Sequence, residues 1–330
     1  MIKLNEISKT EWEKSWQGGY RTTYFQSPKW FEIWAELQGG SARAYEVFDD
    51  EDSSLGIFPV LTTSSYGITR TASSCAGTFG GMLQSESSCN KLTSKQIRSL
   101  ADNFPNLSWR IPPECAPDPS PDFIKPDYTH RLDLTQGLEA INEQWEKGKS
   151  GIARKVRKAR NNGVSVFPAK YPEEWKEYHE LYLQNTQRWS PPPSVIYPFP
   201  LFDALRSTEK TYAKLWLAYS ADDQLVAGAL CLYSPQSCVY WNGATSESHQ
   251  ELRPMNLLIS TIIKDAIKNQ LKFFDFNPSG GVAGIERFKE SFGATKAPAP
   301  VFDSRSRFIN AAGKLKSTLS RIRVKVSGDG

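Results

Sequence analysis

Phe273-Phe274-Asp275-Phe276-Asn277-Pro278-Ser279-Gly280-Gly281 runs from a strand-like segment into a glycine turn, and Gly284-Ile285-Glu286-Arg287-Phe288-Lys289 then opens a helix. Period-two alternation places Phe273, Asp275 and Asn277 on one sheet face and Phe274 and Phe276 on the other. In open α/β sheets ligands gather at the carboxyl ends of strands. A Ser-Gly-Gly turn before a helix leaves backbone N–H groups free to meet an anion. The spacing Gly280-Gly281…Gly284 is not GxGxxG, so a dinucleotide fingerprint is rejected. On composition alone the plainer account is preferred, in which Asp275 bonds a turn and Lys289 is solvated.

Outward from this stretch, two halves with the same element order emerge. In the first, a strand near residues 3–7 leads to a helix with Ser8 and Glu11 spaced as a capping box. A second helix is capped by Ser27, with Pro28 in its first turn. Trp30, Ile33, Trp34 and Leu37 give it one apolar face. Strands at 43–48, 55–62 and 66–73 follow, then a helix at 94–104 and a strand at 107–111. The proline-rich segment 112–126 is a loop, and 128–134 returns as a strand. In the second half, helices at 137–145 and 151–160 precede a short strand at 164–167. A helix at 172–188, a short helix at 201–206 and a meander at 212–219, 225–233 and 238–244 come next. Pro254 opens a helix with the apolar stripe Met255, Leu258, Ile259, Ile262, Ile263 and Ala266. The strand at 273–277, a helix at 284–292 and one last strand at 297–303 complete it. The reading is α/β (α+β): tandem domains at 1–135 and 136–302, each a mixed, largely antiparallel twisted sheet flanked by helices, then a basic tail at 303–330.

Length and composition agree. The 330 residues favour two domains, and 39% hydrophobic with 23% charged residues is ordinary for a globular chain. Apolar stretches stop short of the roughly 18–20 residues a membrane span needs, and residues 1–12 lack the apolar run of a signal peptide. The five cysteines are scattered and the three histidines lie far apart in sequence. No zinc site or cysteine–histidine pair is therefore expected, and reduced thiols imply the cytoplasm. Net charge is only +4, yet 147–160 and 305–325 are basic blocks without an acid. Such blocks suit a polyanionic partner: nucleotide phosphates, tRNA or an anionic lipid surface.

Several segments together resemble the FemAB-type aminoacyl/acyltransferases and related GNAT-like proteins of polysaccharide gene clusters. The strand end Phe274-Asp275-Phe276-Asn277 and the run Arg287-Phe288-Lys289-Glu290-Ser291-Phe292-Gly293 carry most of the resemblance. Phe25-Gln26-Ser27-Pro28-Lys29-Trp30, Phe79-Gly80-Gly81, the basic segment Arg154 to Val164 and Tyr240-Trp241-Asn242-Gly243-Ala244 are similar to further family pieces, in order. The element order is similar to the GNAT fold, twice over.

The resemblance implies amide-forming transfer of an acyl or aminoacyl group to an amine, serving cell-wall peptidoglycan, polysaccharide or peptide biosynthesis. It implies no tightly bound cofactor and no metal, with aminoacyl-tRNA or acyl-CoA as co-substrate. Lys289 becomes the candidate for the developing negative charge, and Asp275 the group that orients the amine or the lysine. Arg154, Arg157 and Lys158 would meet phosphates. Arg188 and Trp189 would line the acceptor cleft, with Trp30, Asn242, Asn277, Ser279 and Arg287 as further substrate or donor contacts. Two departures bear on substrate. His249 to Asn256 has no glycine where CoA-using relatives cradle pyrophosphate. Glu32 stands about where relatives acting on nucleotide-linked precursors carry a lysine. The competing expectation is a non-catalytic module that holds tRNA or anionic lipid, or touches a membrane peripherally, through the basic helix and tail.

Overall fold

The helix starts written in the sequence set the first layer of the structure. The Ser8 hydroxyl accepts from the Glu11 N–H at 3.2 Å and the Glu11 carboxylate accepts from the Ser8 N–H at 2.8 Å. Ser27 accepts from the Trp30 N–H at 3.2 Å, with Pro28 at the first helical position. The computed structural model describes residues 2–188, 195–208 and 212–305. In the first lobe these are β1 (Lys3–Glu6), α1 (Lys9–Gly18), α2 (Pro28–Gln38), β2 (Ser41–Phe48), β3 (Ser54–Ser65), β4 (Ile68–Ala72), α3 (Ser94–Ala101) and β5 (Leu107–Arg110). Then follow β6 (Tyr128–Asp133), α4 (Gly137–Lys147), α5 (Ile152–Asn161), β7 (Ser165–Pro168), α6 (Pro172–Gln187) and α7 (Phe199–Arg206). The chain continues through β8 (Ala213–Tyr219), β9 (Leu225–Tyr233), β10 (Ser237–Thr245), α8 (Pro254–Lys268), β11 (Phe273–Asp275), α9 (Ala283–Ser291), β12 (Thr295–Pro298) and β13 (Val301–Asp303).

The strands form two sheets, β1-β2-β3-β4-β5-β13 and β12-β6-β11-β10-β9-β8-β7. Each has an antiparallel meander, then one parallel step across a helix: β4 to β5 over α3, and β10 to β11 over α8. The architecture is thus repeated, as the element order predicts. The lobes nevertheless exchange their closing strands. β6 pairs antiparallel with β11 and β12 in the second sheet, and β13 pairs antiparallel with β5 in the first. Boundaries at 135/136 and 302/303 therefore do not follow the sheets. The single last strand expected at 297–303 is two strands in different sheets. Pro298 and Pro300 lack the N–H that a continuous ladder needs. Between them the Ala299 N–H donates to the Asp127 carbonyl at 2.8 Å, where the chain crosses over.

Three apolar layers hold this arrangement. The central one lies between the lobes, where Trp16, Trp30 and Phe31 of α1 and α2 pack with Tyr178, Phe202 and Trp241 of the second lobe. Trp30 and Trp241 meet edge to face at 5.5 Å, the arrangement aromatic quadrupoles favour. The outer layers sit under α3 in the first lobe and under α4, α5 and α8 in the second. Polar contacts join the lobes as well: the Ser234 hydroxyl donates to the Thr22 carbonyl at 2.6 Å, and the Arg21 N–H to Gln236 at 2.9 Å. Among the described residues no helix is long and apolar enough to cross a membrane.

Candidate active site

At the end of β11 the Asp275 carboxylate is fully buried. It accepts from the Thr129 hydroxyl at 2.5 Å, Arg131 Nε at 2.6 Å and the Asn277 N–H at 2.7 Å. The register explains the first two: Asp275 lies opposite Arg131, so the Arg131 and Thr129 side chains reach it across one sheet face. Arg131 also pairs with Glu114, from the proline-rich loop. Its guanidinium lies 4.4 Å from the Phe273 ring centroid and 5.6 Å from that of Phe79 in the first lobe. Burial disfavours the charged guanidinium, but Glu114 and Asp275 outweigh it and hold Arg131 above its ordinary value. The anion–cation–anion row is a buried frame that fixes the end of β11.

The frame sets the next turn. Asn277 takes the left-handed conformation with φ of 64°, and Gly280 and Gly281 follow with φ of 60° and 78°. The turn sends the chain into α9, which starts without a side-chain cap. One face of α9 returns Lys289 to the strand end. Lys289 is 2% exposed, and its ammonium donates to the Asn277 carbonyl at 2.5 Å. Burial pushes its pKa down to about 8, opposed by the carboxylates of Asp275, Glu286 and Asp127. Buried amines shift this way because low dielectric disfavours the charged form. Lys289 therefore does not face bulk solvent as the plainer sequence reading had it. Around it, Asn277 Oδ1, Ser279 Oγ, one Arg131 nitrogen and both His130 ring nitrogens are buried without hydrogen-bond partners. Buried polar atoms are rarely left this way; besides these, found on β6 and in the turn after β11, the described residues leave only Tyr24, Trp30, Trp34 and Arg70 with such an atom.

Residues 146–290 match the acetyltransferase (GNAT) domain family. The chain superposes on the crystal structure of FemX with a TM-score of 0.67 at 14% identity, covering 94% of this chain and all (100%) of that one. The second half thus carries a match to a GNAT domain, and the whole chain has a FemX-type fold. The C-terminal domain of a putative lysylphosphatidylglycerol synthetase from Agrobacterium fabrum superposes with a TM-score of 0.53 at 11% identity, covering 94% of this chain and 95% of that one. The L-PGS structure from Bacillus licheniformis gives 0.50 at 13% identity, over 87% of this chain and 95% of that one. No curated protein matches the chain by sequence.

Within this FemX-like fold, four of the expected site residues come together: Asp275, Asn277, Ser279 and Lys289. The others lie elsewhere. Trp30 is enclosed in the interlobe core between Phe25, Trp34 and Trp241. Asn242 accepts from the Tyr178 hydroxyl at 2.5 Å inside the second lobe. Arg188 ends α6, donating to the Thr245 carbonyl at 2.7 Å and pairing with Glu247 at 3.2 Å. On α5, Arg154 is exposed, Arg157 pairs with Glu146 at 2.7 Å and Lys158 with Glu251 at 3.8 Å. Arg287 is exposed on α9. Trp189 and the tail beyond Arg305 lie outside the described residues. Sequence reasoning missed Thr129, His130, Arg131 and Glu114. The signal available was a strand whose alternate positions, Thr129 and Arg131, are polar on one face. The partner they need stands 144 residues or more away.

Proposed function

We propose that the chain transfers an acyl or aminoacyl group from an activated ester or thioester to an amine, with the reacting carbonyl at the end of β11. The observation that carries this reading is Lys289: a buried ammonium held by one backbone carbonyl, beside the unpartnered Ser279 hydroxyl and Asn277 amide oxygen. In the reaction the amine attacks the donor carbonyl, and the carbonyl oxygen becomes an oxyanion. The attack forms the C–N bond; collapse restores the C=O and breaks the bond to the alcohol or thiol, which leaves with the proton the amine loses. A fixed cation in a water-poor site stabilises that oxyanion far more than it would in water. Asp275 acts through the turn, by fixing the Asn277 backbone that positions Lys289.

An aminoacyl ester of tRNA is the favoured donor. The place where CoA-using relatives cradle pyrophosphate is here a 3-10 turn over Glu247–Leu252, then Arg253 with φ of 59° and Pro254 at the helix start. Proline has no N–H to offer a phosphate. The exposed arginines of α5 offer a second, electrostatic contact to a polyanion. The test offers purified full-length protein aminoacyl-tRNA and acyl-CoA pools in separate assays with a panel of amines, and follows amide product by mass. Donor consumption lost in Lys289→Ala is the expected result. Consumption of neither donor with any amine overturns the reading, and retained tRNA binding would then assign a binding module.

A further inference from the structure

On α9, close to Lys289, Glu286 and Glu290 are four residues apart, so both carboxylates project from one helix face. They face His130 on β6. One ligand atom from each of the three lies within 4.8 Å of the others. Two carboxylates on a helix are ordinary surface chemistry, but the imidazole is not. His130 is 0% exposed and neither ring nitrogen has a hydrogen-bond partner. Nε2 stands 3.6 Å from Glu290 Oε1, aimed at it but beyond hydrogen-bond reach. A buried donor–acceptor ring left unpaired is costly, a cost that a ligand taking its lone pair would offset.

We propose that His130, Glu286 and Glu290 bind one divalent transition-metal ion, which pins α9 to β6. One imidazole nitrogen with two carboxylate oxygens is a donor set suited to zinc and its first-row neighbours. Metal–ligand distances of roughly 2.0–2.2 Å bring ligand atoms about 3–4 Å apart, so the cluster closes by rotating the glutamates. The Glu290 side chain is 45% exposed, leaving that side open for water ligands. Two cations oppose the site. Lys296 pairs with Glu286 at 2.8 Å and must let go. Lys289, on the same helix, adds positive charge beside His130. The proposal is independent of acyl transfer and is tested without it.

The experiment titrates Zn2+ into metal-free full-length protein by calorimetry, with melting temperature and histidine ring NMR signals as parallel readouts. The expected result is one Zn2+ per chain, a raised melting temperature, and movement of one of the three histidines' ring signals. Glu290→Gln, a change at an exposed side chain that leaves the fold intact, should weaken binding at least about tenfold and abolish the melting shift. His130→Asn should remove the moving NMR signal. Mg2+, which prefers all-oxygen sites, should bind at least about tenfold more weakly. Zn2+ affinity unchanged in both Glu290→Gln and Glu286→Gln overturns the proposal, as does the absence of saturable binding.

Discussion

The two lobes repeat one architecture, yet the ends of their equivalent strands β5 and β11 differ. At β5, Arg110 is spoken for: Nε donates to the Gly77 carbonyl at 2.8 Å, and Nη1 to Asp127 at 2.8 Å and the Ala299 carbonyl at 3.1 Å. Trp109 Nε1 donates to the Gly81 carbonyl at 2.5 Å. At β11 the Asp275 carboxylate is fully partnered, but one Arg131 nitrogen and the groups just beyond it are not. Asn277, Ser279 and His130 keep buried, unpaired atoms around a buried ammonium. The same fold was finished at one strand end and left unsatisfied at the other. Unsatisfied groups are costly, and they persist where a ligand or a transition state completes them.

Breaking the frame should give the largest effect. Asp275→Ala leaves Arg131 with Glu114 alone and removes the acceptor for Thr129 and for the Asn277 N–H. Loss of one member of a buried ionic network costs about 3–5 kcal/mol. Urea denaturation should show that loss, with the chain unfolding earlier at unchanged slope. A loss below about 1 kcal/mol would mean that the frame is no tighter than a surface pair.

The second effect separates stability from chemistry. Lys289→Met should lower turnover by about 10²–10³-fold, the magnitude for removing one oxyanion-stabilising group. The same change should leave stability equal or higher, because it replaces a buried charge with an apolar side chain. The pH dependence sharpens this. Lys289 sits near 8 in the folded chain against an ordinary 10.5, so between those values the unfolded chain holds a proton that the folded one has released. Stability therefore rises with pH across that window, and the penalty of burying the ammonium is fully present below it. In metal-free buffer the wild-type curve minus the Lys289→Met curve should rise from about pH 8 to pH 10. A flat difference would place that ammonium in solvent.

Much of this was legible in the chain because it is local. The Ser8–Glu11 capping box, the Pro28 and Pro254 helix starts and the alternation of Phe273 and Asp275 all act within a few residues and appear where expected, whereas Asn277, expected on the strand, stands in the left-handed turn just past it. Long-range pairing was not legible. Nothing near Tyr128–Asp133 says that this strand closes the second sheet, because its pattern suits either edge. His130 was set aside because no second histidine or cysteine lies near it in sequence; its neighbours in space come from α9, more than 150 residues later. Trp30 matched a family segment, yet its indole fills the core between lobes. A motif fixes a residue's place in the fold more firmly than it fixes what the residue touches.

The smallest effect tests the satisfied end. Asp127 pairs with Arg110 at 2.8 Å, but the two side chains are 26% and 13% exposed, so water screens the pair and Arg110 keeps two backbone acceptors without it. Asp127→Asn should therefore cost about 1 kcal/mol or less, well below Asp275→Ala. Asp127 is also among the carboxylates that favour the charged form of Lys289, which gives the β5 end an electrostatic route to Lys289. If the first lobe only scaffolds, turnover in Asp127→Asn stays within about threefold of wild type, a change of less than 1 kcal/mol in barrier height. A tenfold loss of turnover at nearly unchanged stability would join the two strand ends into one electrostatic site and end the contrast between them.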